Sequence, residues 1–119
     1  MLLSHMANES TDNLTPLFAA LADPTRRAIV EALAEGPLPV TALAEDHNMA
    51  LPSFLKHLGK LEKTGVIKSQ KTGRVRTCHL QPAAFGPLQD WVERERARWG
   101  GKRDRLAAHL EALDKETKQ

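Results

Sequence analysis

Apolar residues recur at helical intervals over most of the chain, and turn-forming residues divide them into short segments. Thr15-Pro16 and Asp23-Pro24 are typical helix starts, because a capping side chain precedes a proline that is already set for the first helical turn. Each pair is followed by apolar residues at helical spacing. Gly36 comes after the second run, as a glycine commonly follows the end of a helix. The pattern predicts two helices before residue 37.

The next stretch predicts two more helices joined by a tight turn. The first is expected from about Val40 to Asp46 and the second from about Leu51 to Thr64, with Gly65 at the position of a C-cap glycine. Five apolar residues share one side of the second helix at 100° per residue. They are Leu51, Phe54, Leu55, Leu58 and Leu61. We expect this side to face the core.

A hairpin is predicted over about residues 66–80. Two β-prone runs, at residues 66–70 and 75–80, flank the sequence KTGR at residues 71–74. A glycine in such a short connection is typical of a hairpin turn. The cationic residues at the tip and flanks of the hairpin are Lys71, Arg74 and Arg76.

Helical spacing returns at residue 87 and continues to about residue 115. The apolar positions are Leu88, Val92, Trp99, Leu106, Leu110 and Leu113. Gly100 and Gly101 interrupt the run at a cost of about 1 kcal/mol each relative to Ala. The apolar stripe nevertheless keeps its register across them, so we predict one long helix, straight or bent at the glycines. Such a stripe either contacts a second molecule or packs, together with Trp91 and Trp99, inside one protomer.

The length of 119 residues fits one compact domain, which we place at residues 14–116, after a tag-like or disordered segment at residues 1–13. No apolar run reaches the roughly 18 residues of a membrane span, and the N-terminus lacks the pattern of a secretory signal. The single cysteine excludes an internal disulfide and a four-cysteine zinc site. These features indicate a cytoplasmic protein with a mainly helical fold and a small β-hairpin.

Positive charge is concentrated between residues 51 and 80. This stretch holds seven Lys and Arg and one Glu, a net charge of +6, whereas the whole chain carries +2. A charge run alone is more often a solvated face than a binding site. Here, however, the polar residues of the second helix gather on the side opposite its apolar stripe: Ser53, Lys56, His57, Lys60 and Lys63. A cationic helix face beside a cationic hairpin is typical of nucleic-acid binding.

Few residues offer any other chemistry. Asp90, Glu93 and His109 come nearest to a metal site, but carboxylates with one imidazole are more typical of a solvated helix face, so we predict no metal and no cofactor. Cys78 would be a redox sensor if nearby cations lowered the pKa of its thiol, although a small packed strand residue is the commoner role. No histidine has a neighbouring nucleophile in a catalytic motif, and we do not expect an enzyme.

Four segments taken together resemble a known family. They are ALADPTRRAIVEAL (residues 20–33), LPVTALAEDHNM (38–49), PSFLKHLGKLEKTGVI (52–67) and GRVRTCHL (73–80). These segments are similar to the winged helix-turn-helix repressors of the arsenic-repressor (ArsR) family. The closing WVERERARW resembles the last helix of a branch that lacks the familiar metal sites, and residues 42–45 lack the Cys-x-Cys pair of metal-sensing relatives.

The resemblance implies a homodimer formed by the first and last helices, with each recognition helix, about residues 51–64, in a major groove and each wing, about residues 66–80, on the backbone or minor groove of an operator duplex. The recognition residues it implies are Ser53, Lys56, His57 and Lys60, and the wing supplies Lys71, Arg74 and Arg76. The dimerisation residues are Leu17, Phe18, Leu88, Trp91, Val92, Trp99 and Leu106.

Four residues depart from the family pattern. Asn48 replaces a common Gly, a change that Asn can accommodate. Ala50 stands where a capping Ser is usual, so the recognition helix is expected to begin without that cap. Leu51 and Leu55 occupy positions that are often Gln and Ser and that contact DNA, which implies a narrower readout or a rotated helix.

The function expected from these features is a sequence-specific, dimeric DNA-binding transcriptional regulator, a repressor by resemblance. The alternative is a winged-helix module for protein interaction. In that case the long helix with its tryptophans recruits a partner, and the basic face meets an acidic protein.

Overall fold

The structure is a computed structural model that describes residues 13–118, without the side chains of residues 102, 103 and 116–118. The tag-like segment expected at residues 1–13 lies outside the described residues, apart from Asn13. The elements in chain order are α1 (Leu14–Leu21), α2 (Pro24–Ala34), β1 (Leu38–Pro39), α3 (Val40–Glu45), α4 (Leu51–Lys63), β2 (Ile67–Thr72), β3 (Val75–Leu80), a 3₁₀ helix (Pro82–Phe85) and α5 (Gly86–Lys118). This order confirms a mainly helical fold with four helices before the hairpin and one after it.

The sheet has three antiparallel strands rather than the two of the predicted hairpin. β1 pairs with β3, with Leu38 opposite Cys78 and Pro39 opposite Thr77, so the strand order is β1-β3-β2. A strand of two residues that ends in a proline is too short to show an alternating pattern. β1, which pairs the chain before α3 with the hairpin, could therefore not be predicted from the residue pattern.

The end of α4 is fixed by a glycine cap. Gly65 has a φ of +79°, which side chains with a Cβ rarely adopt. Its N–H donates to the carbonyl of Glu62 at 3.0 Å, and the N–H of Val66 donates to the carbonyl of Leu61 at 3.2 Å. These two bonds are those of a Schellman motif, and Leu61 and Val66 are both fully buried beside them. The predicted C-cap is confirmed, and it sets the direction in which the chain leaves α4 for β2.

The core lies among α1 to α4 and the sheet. Its buried apolar residues are Leu17, Ala20, Ile29, Leu33, Leu43, Phe54, Leu58, Leu61, Val66, Ile67 and Cys78. The prediction that the whole apolar stripe of α4 faces the core is wrong for Leu51 and Leu55, which are 55% and 43% exposed. The stripe is about 120° wide, and these two leucines lie at its edge in the first two turns. α4 packs on α2 and β2, and that contact covers only the other part of the stripe.

The chain divides into two compact units, one up to Pro87 and one from Leu88 onward. α5 supplies the described part of the second unit, and it runs through Gly100 and Gly101 without a break, which confirms one long helix. Most of its large apolar side chains are exposed, including Trp91 at 39% and Trp99 at 61%. Neither tryptophan is therefore buried in the structure. The assignment of residues 14–116 to a single domain stays a prediction.

The predicted dimerisation residues differ in exposure. Leu17 is 3% exposed and packs in the core of its own protomer, on the same side of α1 as the buried Ala20; its assignment to an intermolecular contact stays a prediction, which this burial does not favour. Leu88 is half-buried. The others are exposed: Phe18, Trp91, Val92, Trp99 and Leu106.

Candidate nucleic-acid interface

The candidate interface begins at the start of α4, which follows a turn over residues 46–50. Ala50 is the N-cap residue and makes no side-chain hydrogen bond to the helix, as expected from its lack of a polar group. Its carbonyl accepts the N–H of Phe54 at 3.1 Å, so the helix is regular from its first turn. Pro52 in this turn has no N–H to satisfy. The first turn of α4 therefore has no capping side chain.

Four predicted recognition residues line one open groove along α4. Ser53, Lys56 and Lys60 are exposed there, and His57 is half-buried at its side. The same groove includes Gly59 and Lys63, which the resemblance did not assign, although Lys63 lies on the cationic side of the helical wheel. Within the described part of the chain, none of these three lysines forms an ion pair with a carboxylate. The groove thus presents three cations that no carboxylate of the described residues neutralises.

A buried arginine holds the helices behind this groove together. Arg26, on α2, is 8% exposed, and among the described side chains it is the charged one that is buried. Its Nε donates to the carbonyl of Ala20, and its Nη2 donates to the carbonyl of Ala19 at 3.0 Å. Both carbonyls belong to the last turn of α1, where helix carbonyls lack partners and a positive charge is favourable. Arg26 thereby joins α1 to α2.

The same guanidinium reaches the recognition helix through His57. Nη1 of Arg26 lies 2.9 Å from Nδ1 of His57. Because a guanidinium has no acceptor, Nδ1 must accept this hydrogen bond, and the proton of the neutral ring is then on Nε2. The helical wheel assigned His57 wholly to the exposed side, but one edge of its ring is engaged inside the protein. Only Nε2 is left to donate to a ligand in the groove.

Asp23 completes this cluster as the N-cap of α2. Its Oδ2 accepts the N–H of Arg26 at 3.1 Å and lies 3.7 Å from Nδ1 of His57. The hydrogen bond from the Arg26 N–H lowers the pKa of the Asp23 carboxyl; burial, the next largest effect, opposes this, and the positive charge of Arg26 adds to the lowering. The predicted helix start at Asp23-Pro24 is confirmed. The carboxylate also faces the side of α4 that bears His57.

The hairpin carries its cations on exposed positions, as predicted. β2 and β3 are joined by the two-residue turn Gly73-Arg74, in which Gly73 has a φ of +64°. Lys71 and Arg76 lie directly opposite each other in the pairing of the two strands. Like charges in directly opposed positions destabilise a sheet. The three predicted wing cations, Lys71, Arg74 and Arg76, are all exposed, and so is Lys68 of β2.

Cys78 is buried in β3. Burial raises the pKa of the Cys78 thiol, and the charge of Glu62 acts in the same direction while Arg76 opposes it. A redox sensor requires the opposite, a lowered thiol pKa together with access to solvent. The structure therefore favours the packing role of this residue.

The predicted absence of a metal site rests on the sequence. Among the described residues, no group of three or more His, Cys, Asp or Glu side chains comes together as a metal site would require. No helix in the described range is long and apolar enough to cross a membrane.

Comparison of the sequence with known proteins points to transcriptional regulators. A family model of a helix-turn-helix domain matches residues 21–70, which contain α2 to α4. The chain is 40% identical over 75 residues to the HTH-type transcriptional regulator Rv2034 of Mycobacterium tuberculosis, a match that covers 63% of this chain and 70% of that protein. It is 36% identical over 76 residues to the transcriptional repressor SdpR of Bacillus subtilis, covering 64% and 84% of the two chains.

The fold has the same relatives among solved structures. A crystal structure of an ArsR family transcriptional regulator is 44% identical, with a TM-score of 0.71, and the match covers 75% of this chain and 92% of that one. An ArsR-like transcriptional regulator from Rhodococcus sp. RHA1 is 26% identical, with a TM-score of 0.73 and coverage of 87% and 95%. From the match in sequence and in structure, the chain belongs to the ArsR family of winged helix-turn-helix transcriptional regulators.

Proposed function

We propose that this protein is a dimeric, sequence-specific DNA-binding repressor in which α4 enters the major groove. The observation that carries the proposal is the groove of α4, where Lys56, Lys60 and Lys63 share one exposed side and form no ion pair within the described chain. The second helix of a helix-turn-helix is the element that reaches base edges in the major groove. The spacing of these lysines along one face suits the phosphates on either side of a groove.

The hairpin supports the proposal as a wing that contacts the DNA backbone. Lys71 and Arg76 are placed opposite each other at a cost to the sheet. A duplex phosphate beside them would convert this repulsion into attraction for both side chains. Arg74, at the tip of the turn, extends the same positive surface.

Dimerisation is supported by the exposed apolar side of α5. Val92, Leu106 and Leu110 lie at intervals of 14 and 4 residues and are exposed in the single protomer. Both intervals are compatible with one helix face. A second copy of the chain would cover this face, and two recognition helices would then meet successive major grooves about 34–36 Å apart. One relative, SdpR, is itself a transcriptional repressor, which supports the repressor role.

The test is selection of bound duplexes from random DNA at two salt concentrations. We expect a palindromic motif with half-sites about one helical turn apart. On the selected duplex, Lys56→Gln or Lys60→Gln should make the slope of log K against log salt shallower by about 0.9 if the lysine contacts a phosphate. If the lysine contacts a base, the variant should relax the sequence preference instead. Arg74→Ala should behave as the loss of a phosphate contact.

The matched control is Lys115→Gln, which removes one positive charge from an exposed residue of α5. It should leave both the slope and the sequence preference unchanged. Equal effects of Lys60→Gln and Lys115→Gln would assign the binding to net charge alone. Recovery of no motif would contradict sequence-specific binding and would favour a protein-interaction module.

A further inference from the structure

Two leucines on the recognition helix are exposed where the helical pattern would bury them. Leu51 is 55% exposed and Leu55 is 43% exposed, whereas Phe54, in the same turn, is 1% exposed. Residues four positions apart lie on the same side of a helix, so the two leucines form one apolar strip over the first two turns of α4. We refer to this pair as the leucine strip. It belongs to the same helix as the groove of Lys56, Lys60 and Lys63, although neither leucine lines that groove.

The charge around the leucine strip restricts what can cover it. Residues 51–80 carry a net charge of +6, so a second copy of this surface would be repelled. A partner must combine strong negative charge with apolar groups that stand out toward the helix. The major groove of duplex DNA has both properties, because its walls are phosphates and each thymine presents a C5-methyl group on its floor.

The chemistry of leucine limits which groups of the DNA it can contact. A leucine side chain neither donates nor accepts a hydrogen bond, so it cannot read the nitrogen and oxygen atoms of a base edge. It can only pack against an apolar group, and the thymine methyl is the one that distinguishes base pairs in the major groove. The N-terminal residues of a recognition helix are also those that contact bases. Leu51 and Leu55 belong to those first two turns of α4.

We propose that Leu51 and Leu55 read thymine C5-methyl groups in the major groove of the operator and are the residues that set its preference for thymine. The inference rests on the proposed function, which brings α4 into that groove. Four helical residues rise about 6 Å, and base pairs rise about 3.4 Å. The two methyl groups should therefore lie on base pairs about one or two steps apart in each half-site.

Removal of single methyl groups from the DNA tests this directly. Each thymine of the selected duplex is replaced in turn by deoxyuridine, which lacks only the C5-methyl, and the dissociation constant is measured by fluorescence anisotropy. Replacement at one or two positions per half-site should weaken binding of the wild-type protein about 3- to 5-fold per methyl, as expected for loss of one buried apolar carbon. The remaining thymines should be insensitive.

Leu51→Ala and Leu55→Ala identify the side chains that make the contacts. Both leucines are exposed, so neither substitution opens a cavity in the core. Each variant should lose the sensitivity to deoxyuridine at one position and keep it at the other. The matched control is Lys60→Gln, which should bind more weakly to every duplex and still discriminate thymine from deoxyuridine at both positions.

The outcomes separate this inference from the proposed function. Specific binding that is indifferent to deoxyuridine at every position would overturn the thymine readout and leave the repressor proposal intact. Sensitivity that persists undiminished in both leucine variants would also overturn it, because other residues would then contact the methyl groups. Absence of any preferred sequence would remove the proposed function and this inference together.

Discussion

α4 and α5 both leave large aliphatic side chains exposed, but the charges around those side chains differ. Leu51 and Leu55 of α4 lie within a stretch of net charge +6, whereas residues 86–118, which form α5, contain seven acidic and eight basic residues. The acidic and basic side chains of α5 are interspersed, and Glu95 pairs with Arg98 at 3.1 Å. Both helices therefore expose apolar side chains, but positive charge surrounds those of α4, whereas charges of both signs surround those of α5.

The difference indicates different partners for the two helices. A surface of one sign repels its own copy and attracts a polyanion, whereas a surface with balanced charge can approach a copy of itself without net repulsion. The apolar exposure alone does not choose between these partners. The sign of the surrounding charge does, and it assigns α4 to DNA and α5 to a second protomer in our proposal.

The largest expected effect comes from a charge on the apolar side of α5. Leu106→Asp should abolish the dimer, since the new carboxylate would lie in the contact between protomers. Without the second recognition helix the protein binds one half-site at a time, so affinity for the full operator should fall about 10²- to 10⁴-fold. Analytical ultracentrifugation measures the change in mass and anisotropy measures the affinity.

The matched control for Leu106→Asp is Ala108→Asp, which adds the same charge two residues away and almost opposite on the helix. Ala108→Asp should remain dimeric and bind the operator as the wild type does. A monomeric wild-type protein, or a Leu106→Asp variant with undiminished mass, would contradict the assignment of α5 to a second copy.

The second largest effect is a loss of stability when Arg26, which lies behind α4 in the same protomer, is replaced. Arg26→Met removes the donors to the carbonyls of Ala19 and Ala20 and the bond to His57. Each buried acceptor left without a partner costs about 1–3 kcal/mol. The free energy of unfolding in urea should therefore fall by at least this amount at a fixed protein concentration.

The control for Arg26→Met is the neighbouring Arg27→Met. Arg27 also donates to a carbonyl of α1, that of Leu21 at 2.8 Å, but this bond is exposed. Solvent can replace an exposed donor, so Arg27→Met should change the free energy of unfolding by less than about 1 kcal/mol. Equal losses in the two variants would mean that the burial of Arg26 contributes nothing to its role.

The helices and strands of this fold can be predicted from the sequence more completely than the exposure of their residues. The start of α2 at Asp23-Pro24 and the cap at Gly65 follow from local chemistry that involves neighbouring residues, so they could be predicted. The predicted start at Thr15-Pro16 was wrong, because α1 begins at Leu14 after Asn13 and both Thr15 and Pro16 lie inside its first turn. The strip of Leu51 and Leu55 could not, because the width of the buried side of α4 depends on how much of it α2 and β2 cover. Periodicity assigns a side to a residue but not the edge of the contact.

The contacts that Arg26 makes behind the recognition helix could not be predicted from the sequence either. Arginine is almost never fully buried unless it is paired, so nothing in the residue pattern predicted Arg26 inside the protein. Its partner His57 is 31 residues away, and only the packing of α2 against α4 brings them together. The cations of the groove and the hairpin were predictable because exposed charge needs no tertiary partner.

A smaller effect compares one glycine from each helix. Gly59 of α4 and Gly101 of α5 are both inside helices, and an added Cβ at either would meet nothing within 4 Å. Gly59→Ala and Gly101→Ala should each raise the free energy of unfolding by up to about 1 kcal/mol. Only Gly59 lines the cationic groove, so only Gly59→Ala should weaken operator binding, by a few-fold, as the methyl narrows the groove. Weaker binding by both variants would contradict the division of roles between the helices.

The smallest effect is a pH dependence on the α4 side of the molecule. The folded protein lowers the pKa of the Asp23 carboxyl below its ordinary value of 3.8. A carboxyl with a lowered folded-state pKa stabilises the protein above its unfolded-state pKa, and this contribution is lost as the pH falls through the folded-state pKa.

Asp23→Asn keeps a capping oxygen at the start of α2 but cannot titrate. Between about pH 5 and pH 3 the free energy of unfolding should therefore fall more steeply for the wild type than for Asp23→Asn. The difference should be small because the carboxylate is partly exposed to solvent. Urea unfolding at several pH values measures both curves. Parallel curves would mean that the ionised Asp23 does not contribute to holding α2 and α4 together.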